Sequence, residues 1–300
     1  MGKKIVVVGS SNTDMVIKTE NFPRPGETLL GGVFLMNPGG KGANQAVSAA
    51  RLGGDVTFIA KLGTDIFGDD AFQQFKNENI DTQFIIRDSE NPSGVALITV
   101  DSKGENTIVV AAGANGSVSE QDVLLATKEI ENSEIILVQL EIPLSIVELV
   151  VELGRKHNKR VILNPAPAMP LNEAVFDNLY LITPNKTEAE TLTGTKIDSK
   201  ADIEYAARLL KMKGVQNIII TLGSEGVYIL NDELACYINA VAVKAVDTTA
   251  AGDVFNGALA VALANNEPLY EAVEFACMAA AQSVTKMGAQ ASAPYLKDFS

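Results

Sequence analysis

Ile135-Ile136-Leu137-Val138-Gln139-Leu140-Glu141 is an apolar, largely β-branched run that ends in a carboxylate. Continuous apolarity, without an alternating polar face, marks a strand covered on both sides, as in a parallel sheet packed between two layers of helix. The same cadence extends in both directions. Candidate strands at Ile5-Val8, Val56-Ala60, Ile135-Gln139, Arg160-Leu163, Leu179-Ile182 and Asn217-Leu222 alternate with candidate helices. The helices fall at Gly42-Leu52, Gly68-Asn79, Ser119-Glu131, Leu144-His157, Lys186-Thr193, Lys200-Lys213, Ala251-Ala264 and Leu269-Met287. Strand followed by amphipathic crossover predicts an α/β fold, a doubly wound, mainly parallel sheet with helices on both faces.

Two segments break the rhythm. Thr28-Met36 and Gly94-Ala111, the second with an Asp101-Ser102-Lys103-Gly104 turn, read as antiparallel ribbon. Within one domain of residues 1–300 they predict a small β lid, built from about 15–38 and 94–112, over the strand C-termini where open α/β sheets bind ligands. Leu29, Leu30, Val33, Phe34 and Leu97 would give that lid an apolar face able to pair with a second copy, so a homodimer is expected.

Composition narrows the function classes. With 24 Lys and Arg against 37 Asp and Glu the formal charge is −13, which argues against a nucleic-acid partner. The apolar run Ile5-Val8 is too short for a signal peptide or a membrane span, so a cytoplasmic protein without a membrane partner is expected. Cys236 and Cys277 are far apart and form no CxxC pair, which removes a disulfide framework and a cysteine zinc site. The single histidine, His157, lies in a cationic helix end, so histidine triads and HExxH metal sites are excluded.

Chemistry concentrates at the strand ends. Asp247-Thr248-Thr249-Ala250-Ala251-Gly252-Asp253 leads into the apolar helix from Val254. Small residues there let main-chain N–H groups crowd at a helix N-terminus, an anion-binding arrangement. Asp253 would repel a phosphate unless it accepts a proton from an attacking hydroxyl; the alternative is that it caps the first turn. Asn12 and Asp14 leave the first strand, Lys41 and Asn44 open a helix, and Glu141 lies just past its strand, all able to engage sugar hydroxyls or to shape turns. Asn185 either touches nucleotide phosphate and its magnesium shell or serves as N-cap with Glu188 in a capping box. The turn Thr221-Leu222-Gly223-Ser224-Glu225-Gly226 lets backbone lie close to a nucleotide or simply makes a tight turn. Neither nucleotide fingerprint is present: a P-loop would need Gly at position 35 and Ser or Thr at 42, where Leu35 and Gly42 stand, and no GxGxxG follows the first strand.

Asn12-Thr13-Asp14, Gly39-Gly40-Lys41-Gly42-Ala43-Asn44-Gln45-Ala46, Asn164-Pro165-Ala166-Pro167-Ala168, Thr183-Pro184-Asn185 and the Asp247 to Asp253 signature stand in an order that resembles the ribokinase-like carbohydrate kinases over essentially the whole chain. The resemblance implies ATP-dependent phosphorylation of the primary 5-hydroxyl of D-ribose, giving D-ribose 5-phosphate and ADP. Asn12, Asp14, Gly40, Lys41, Asn44 and Glu141 would hold the sugar, with Asp253 as catalytic base. Asn185, Thr221, Gly223, Ser224, Gly226, Gly252, Asp253 and Cys277 would contact ATP, and Ala250, Ala251 and Gly252 would form the anion hole. Mg²⁺ is expected with ATP, and K⁺ at Asp247, Thr249, Ser283, Lys286, Gly288 and Ser292, several of them through carbonyl oxygens. The usual glycine of the family signature is Ala250 here, a departure tolerated if its φ is negative. Kinases of fructose, 2-keto-3-deoxygluconate or adenosine share the phosphate-handling parts. A catalytically silent sensor and a nicotinamide-dependent oxidoreductase are the readings from other classes, the first opposed by an intact Asp253 and the second by the missing fingerprint.

Overall fold

In a computed structural model the described residues are 3–299. They form thirteen strands: β1 Lys4–Val8, β2 Asn12–Lys18, β3 Val33–Gly39, β4 Asp55–Gly63, β5 Ile85–Asp88, β6 Gly94–Val100, β7 Asn106–Ala111, β8 Ile135–Val138, β9 Arg160–Leu163, β10 Leu181–Ile182, β11 Asn217–Thr221, β12 Val227–Leu230 and β13 Ala235–Ile238. The α-helices are α1 Lys41–Arg51, α2 Ile66–Asn77, α3 Glu120–Leu124, α4 Thr127–Asn132, α5 Leu144–Lys156, α6 Glu173–Phe176, α7 Lys186–Thr193, α8 Lys200–Met212, α9 Ala251–Ala264 and α10 Leu269–Ser283.

The main sheet runs β13-β12-β11-β10-β9-β8-β1-β4-β5, parallel from β11 to β5. β12 and β13 extend it as an antiparallel hairpin around Asn231-Asp232-Glu233, a pair absent from the sequence reading although a polar turn between two short apolar runs is its signal. One apolar layer gathers α1, α9 and α10 against one face; the other gathers α3 to α8 against the opposite face. Ile5 and Val7 face the first layer while Val6 and Val8 face the second, which is why β1 carries no polar alternation. The α/β fold expected from the sequence is the fold observed.

Local boundaries differ in instructive ways. Ser119-Glu131 is two short helices: a Ser119–Asp122 capping box starts α3, Ala126 leaves helical geometry, and Thr127 starts α4. Leu269-Met287 ends at Ser283, and Leu179-Ile182 pairs only at Leu181 and Ile182. Of Thr28-Met36, only the part from Val33 is strand, since Gly31 and Gly32 adopt positive φ of 101° and 113°.

The second sheet, β3-β2-β6-β7, contains the two expected ribbons plus β2, of which the expected lid from about residue 15 covers all but the first three residues. Asn12 and Asp14 do not end β1; they begin β2, which pairs parallel with β6 and antiparallel with β3. Asn12 and Asp14 therefore stand where the small sheet leaves the large one. Phe34 and Leu97 on this sheet are 58 % and 56 % exposed, and Leu30, in the loop before it, is 96 % exposed.

Candidate active site

Asp253 is the third residue of α9 and is buried. It is reached from α1, which crosses α9 so closely that a Cβ on Gly257 would lie 2.6 Å from Ser48 Cβ and 2.8 Å from the Gln45 carbonyl oxygen. This approach brings the first turns of the two helices together. Asn44 Nδ2 donates to Asp253 Oδ2 and Gln45 Nε2 donates to Oδ1, each at 2.9 Å. Burial raises the pKa of Asp253, while the Lys41 charge and the two amide donors oppose that rise. A buried carboxylate with a raised pKa and donors on both oxygens is suited to receive a proton from a bound hydroxyl.

The expected sugar ligands assemble around the same place. Glu141 Oε2 accepts from the Ser10 hydroxyl at 2.6 Å and from the Lys41 main-chain N–H at 3.0 Å, so it closes the N-terminus of α1 as well as facing the cavity. Gly40, just before that helix, has φ of 86°, and a Cβ there would press on the backbone of Ser11 and Asn12. Burial works against the Lys41 ammonium, yet the carboxylates of Asp253, Glu141, Glu188 and Asp14 together raise its pKa. Asp14 is pushed up to about 6, by burial first and then by the charges of Glu141 and Asp253. Asn115 Nδ2 donates to Asn12 Oδ1 at 2.8 Å, leaving the Asn12 amide hydrogens for another partner. Asn12, Asn115, Leu140, Glu141, Pro143 and Pro167 are among the residues lining a cavity of about 520 Å³. Asn44 Oδ1 is buried with no hydrogen-bond partner among the described residues.

The turn at the N-terminus of α9 departs from expectation in one respect. Ala250 has φ of 60° and ψ of 12°, left-handed geometry, so the condition for tolerating alanine at no cost is not met. Ala251 N–H donates to the Thr248 carbonyl at 3.3 Å, leaving the first-turn amides of Gly252 and Asp253 as the open end of the helix. A Cβ on Gly252 would meet nothing within 4 Å. Neither packing nor a positive φ demands a glycine there, and the bare backbone keeps the space over the helix end clear.

Among the residues expected to contact ATP, Asn185 is the N-cap of α7: its side chain accepts from Glu188 N–H at 2.9 Å, and Glu188 Oε2 accepts from Asn185 N–H at 2.8 Å. Asn185 also bridges to Thr221, which links the ends of β10 and β11. Gly223, with φ of 60°, has open space around it, whereas a Cβ on Gly226 would collide with the Ile238 carbonyl; Ser224 and Gly226 complete this turn. Cys277 is buried in the apolar layer of α9 and α10, and burial pushes its thiol up to about 11. Asp247 gathers the segments expected to hold a cation: Oδ1 accepts from Thr249 N–H and hydroxyl at 3.0 and 2.7 Å, and Oδ2 from Gly288 N–H at 2.9 Å. The Ser283 and Ser292 hydroxyls donate back to Ala280 and Ala289, and Lys286 N–H donates to the Ser283 carbonyl at 3.0 Å.

Residues 2–296 match the pfkB family carbohydrate kinases. The chain belongs to this family. It is 44 % identical to the ribokinase of Haemophilus influenzae over 98 % of this chain and 96 % of that protein. It is 38 % identical to the deoxyribokinase of Salmonella typhi over 98 % and 97 %. The structure of Arabidopsis thaliana ribokinase complexed with ribose and ATP superposes with a TM-score of 0.91 at 31 % identity, covering 99 % of this chain and 97 % of that one.

In this carbohydrate kinase, sequence reasoning missed the polar groups beneath the site. Gln45, Gln139, Asn164, Asn115 and Ser10 are all buried, and Glu188, assigned only to its cap, lies close enough to feel the charges of Lys41 and Asp253. The available signal was polarity out of place: Gln139 ends an apolar strand, and Gln45 sits on a helix face otherwise made of small residues.

Proposed function

We propose that the protein transfers the γ-phosphoryl group of ATP to the 5-hydroxyl of D-ribose, giving D-ribose 5-phosphate and ADP, in the cytoplasm. One observation carries the reading: the Asp253 carboxylate is buried at the N-terminus of α9, within hydrogen-bond reach of Asn44 and close to the Lys41, Glu141 and Asp14 charges. Asn12, Asp14, Gly40, Lys41, Asn44 and Glu141 orient the sugar. Its hydroxyl proton passes to Asp253, the oxygen forms a bond to the γ-phosphorus, and the bond from that phosphorus to the β–γ bridging oxygen breaks, leaving ADP. In the turn of Ala250, Ala251 and Gly252, the main-chain donors left open, that of Gly252 with that of Asp253 beside it, face the charge on the transferring group, while the Ala251 N–H holds the turn through the Thr248 carbonyl. Asn185, Thr221, Gly223, Ser224, Gly226, Gly252 and Cys277 flank ATP.

Two ions suit the donor sets. Both Glu188 oxygens already bond to Asn185, and among the described residues no group of three or more His, Cys, Asp or Glu side chains could hold a metal. That fits Mg²⁺ carried mainly by phosphate oxygens and water, with Asn185 and Glu188 beside its shell; when bound it neutralises phosphate charge. Asp247 draws the Thr249 and Gly288 segments together, so oxygen donors from Asp247, Thr249, Ser283, Lys286, Gly288 and Ser292 suit K⁺, whose charge would steady the turn before α9. The small sheet serves as a lid that excludes water and, through Val33, Phe34 and Leu97, as a homodimer face; monomeric behaviour in light scattering at micromolar concentration removes the dimer.

A coupled ADP-release assay tests the reaction, with ribose, 2-deoxyribose, fructose, 2-keto-3-deoxygluconate and adenosine, with and without K⁺. Turnover highest with ribose is expected. 2-Deoxyribose belongs in the set because a deoxyribokinase is among the relatives. Zero turnover throughout would favour a sensor.

A further inference from the structure

Beneath the base lies a chain of buried side-chain amides whose orientation is fixed by a main-chain group. Asn164 Nδ2 donates to the Thr183 carbonyl oxygen at 3.2 Å, and a carbonyl can only accept. Asn164 Oδ1 is thereby turned toward Gln45, whose Nε2 must donate to it, at 2.9 Å. The second hydrogen of the same nitrogen goes to Asp253 Oδ1, also at 2.9 Å. Gln45 Oε1 is occupied in turn by Gln139 Nε2 at 2.6 Å. Gln45 therefore meets Asp253 with a donor and has no way to present an acceptor. The other oxygen differs. Asp253 Oδ2 is met by Asn44, whose own Oδ1 has no partner among the described residues, so that amide can turn over and accept.

We propose that Gln45, locked by Asn164, is a positioning residue that keeps Oδ1 of Asp253 unprotonated and directs the abstracted hydroxyl proton to Oδ2. A proton on Oδ1 would point at the Gln45 N–H, a donor that cannot accept it, whereas a proton on Oδ2 finds the carbonyl of a turned Asn44. The sugar hydroxyl loses its proton to Oδ2, its electron pair forms the bond to phosphorus, and the proton leaves Asp253 for water after the products depart. The charged groups around this carboxylate are Lys41 from α1, Glu141 after β8, Asp14 from β2 and Glu188 from α7, and none of them hydrogen-bonds to Gln45. The inference rests on Asp253 being the base.

The test is the pH profile of kcat at saturating ribose and ATP for the full-length Gln45→Met variant. Loss of a hydrogen bond to an ionised group should move the acidic limb upward by about one to two pH units, with KM for ribose changed by less than about threefold. Asn164→Ala, which leaves Gln45 in place but unlocked, should move the limb in the same direction by less; it keeps the idea testable if Gln45→Met does not fold. Limbs that stay at the wild-type pH in folded variants would overturn the positioning role, even if kcat falls. Asp253→Asn run alongside separates the two claims: turnover surviving in that variant sinks the base assignment itself.

Discussion

Glu141 and Lys41, one hundred positions apart, meet through a 3.0 Å bond from the Lys41 main-chain N–H to Glu141 Oε2. The same oxygen takes the Ser10 hydroxyl, so a single carboxylate joins the ends of β1 and β8 to the start of α1. Glu141→Ala should therefore cost about 1–2 kcal/mol in chemical denaturation, the size of a lost N-terminal cap, and should also raise KM for ribose. A stability loss with unchanged KM would restrict Glu141 to its capping role.

Asp253→Asn should lower kcat by about 10²- to 10⁴-fold while ribose affinity changes little, because the amide still hydrogen-bonds but cannot take a proton. Steady-state kinetics together with a direct ribose titration make the comparison.

Asp14 supplies a pH dependence of opposite sense for binding and stability. Its pKa is raised from 3.8 to about 6 in the folded chain, so between those values the folded state holds more protons than the unfolded one. Stability contributed by this group is lost as pH rises through that window. KM for ribose should fall over the same interval as the carboxylate ionises and accepts hydroxyl donors. Asp14→Asn should flatten both trends and leave the variant more stable than wild type at neutral pH; a melting curve set from about pH 4 to 8 decides.

Ala250→Gly should stabilise the protein by about 0.5–1 kcal/mol, since alanine in left-handed geometry costs about 1–2 kcal/mol and the added unfolded-state freedom of glycine returns part of it. Urea denaturation measures it. An equal loss instead would mean that Ala250 takes negative φ in solution.

Gly257→Ala sets two effects against each other. Helix propensity favours alanine by about 1 kcal/mol, but the new methyl would press on Ser48 and the Gln45 carbonyl within a rigid helix crossing. Overpacking of about 1–3 kcal/mol should win, and kcat should fall because Gln45 and Asn44 move with α1. Unchanged melting and kcat together would show that α1 yields freely.

Much of the site was legible from residue type at strand ends. Asn185 with Glu188 three positions on announces its own cap, and Asp253 follows small residues into an apolar helix; both readings need only neighbours in the chain. Asn12 and Asp14 misled because a polar start hides a strand whose partners, Gly94 and Gly39, are far away in sequence. The φ of Ala250 stayed open in the sequence because its handedness is imposed by the turn from Thr248 into α9, whereas alanine alone favours negative φ.

By itself the sequence determined what is periodic and local: the uninterrupted apolar strands, the amphipathic crossovers between them, and hence an α/β sheet with its polar groups collected at one edge. Only the tertiary structure decided which amides stand under Asp253. Gln45 reaches that carboxylate across 208 positions of chain and reaches Asn164 across 119, and each bond exists because glycines let α1 settle against both β1 and α9. Hydrogen-bond direction in a buried network depends on the group at its far end, here the Thr183 carbonyl, and no local pattern in the chain encodes that.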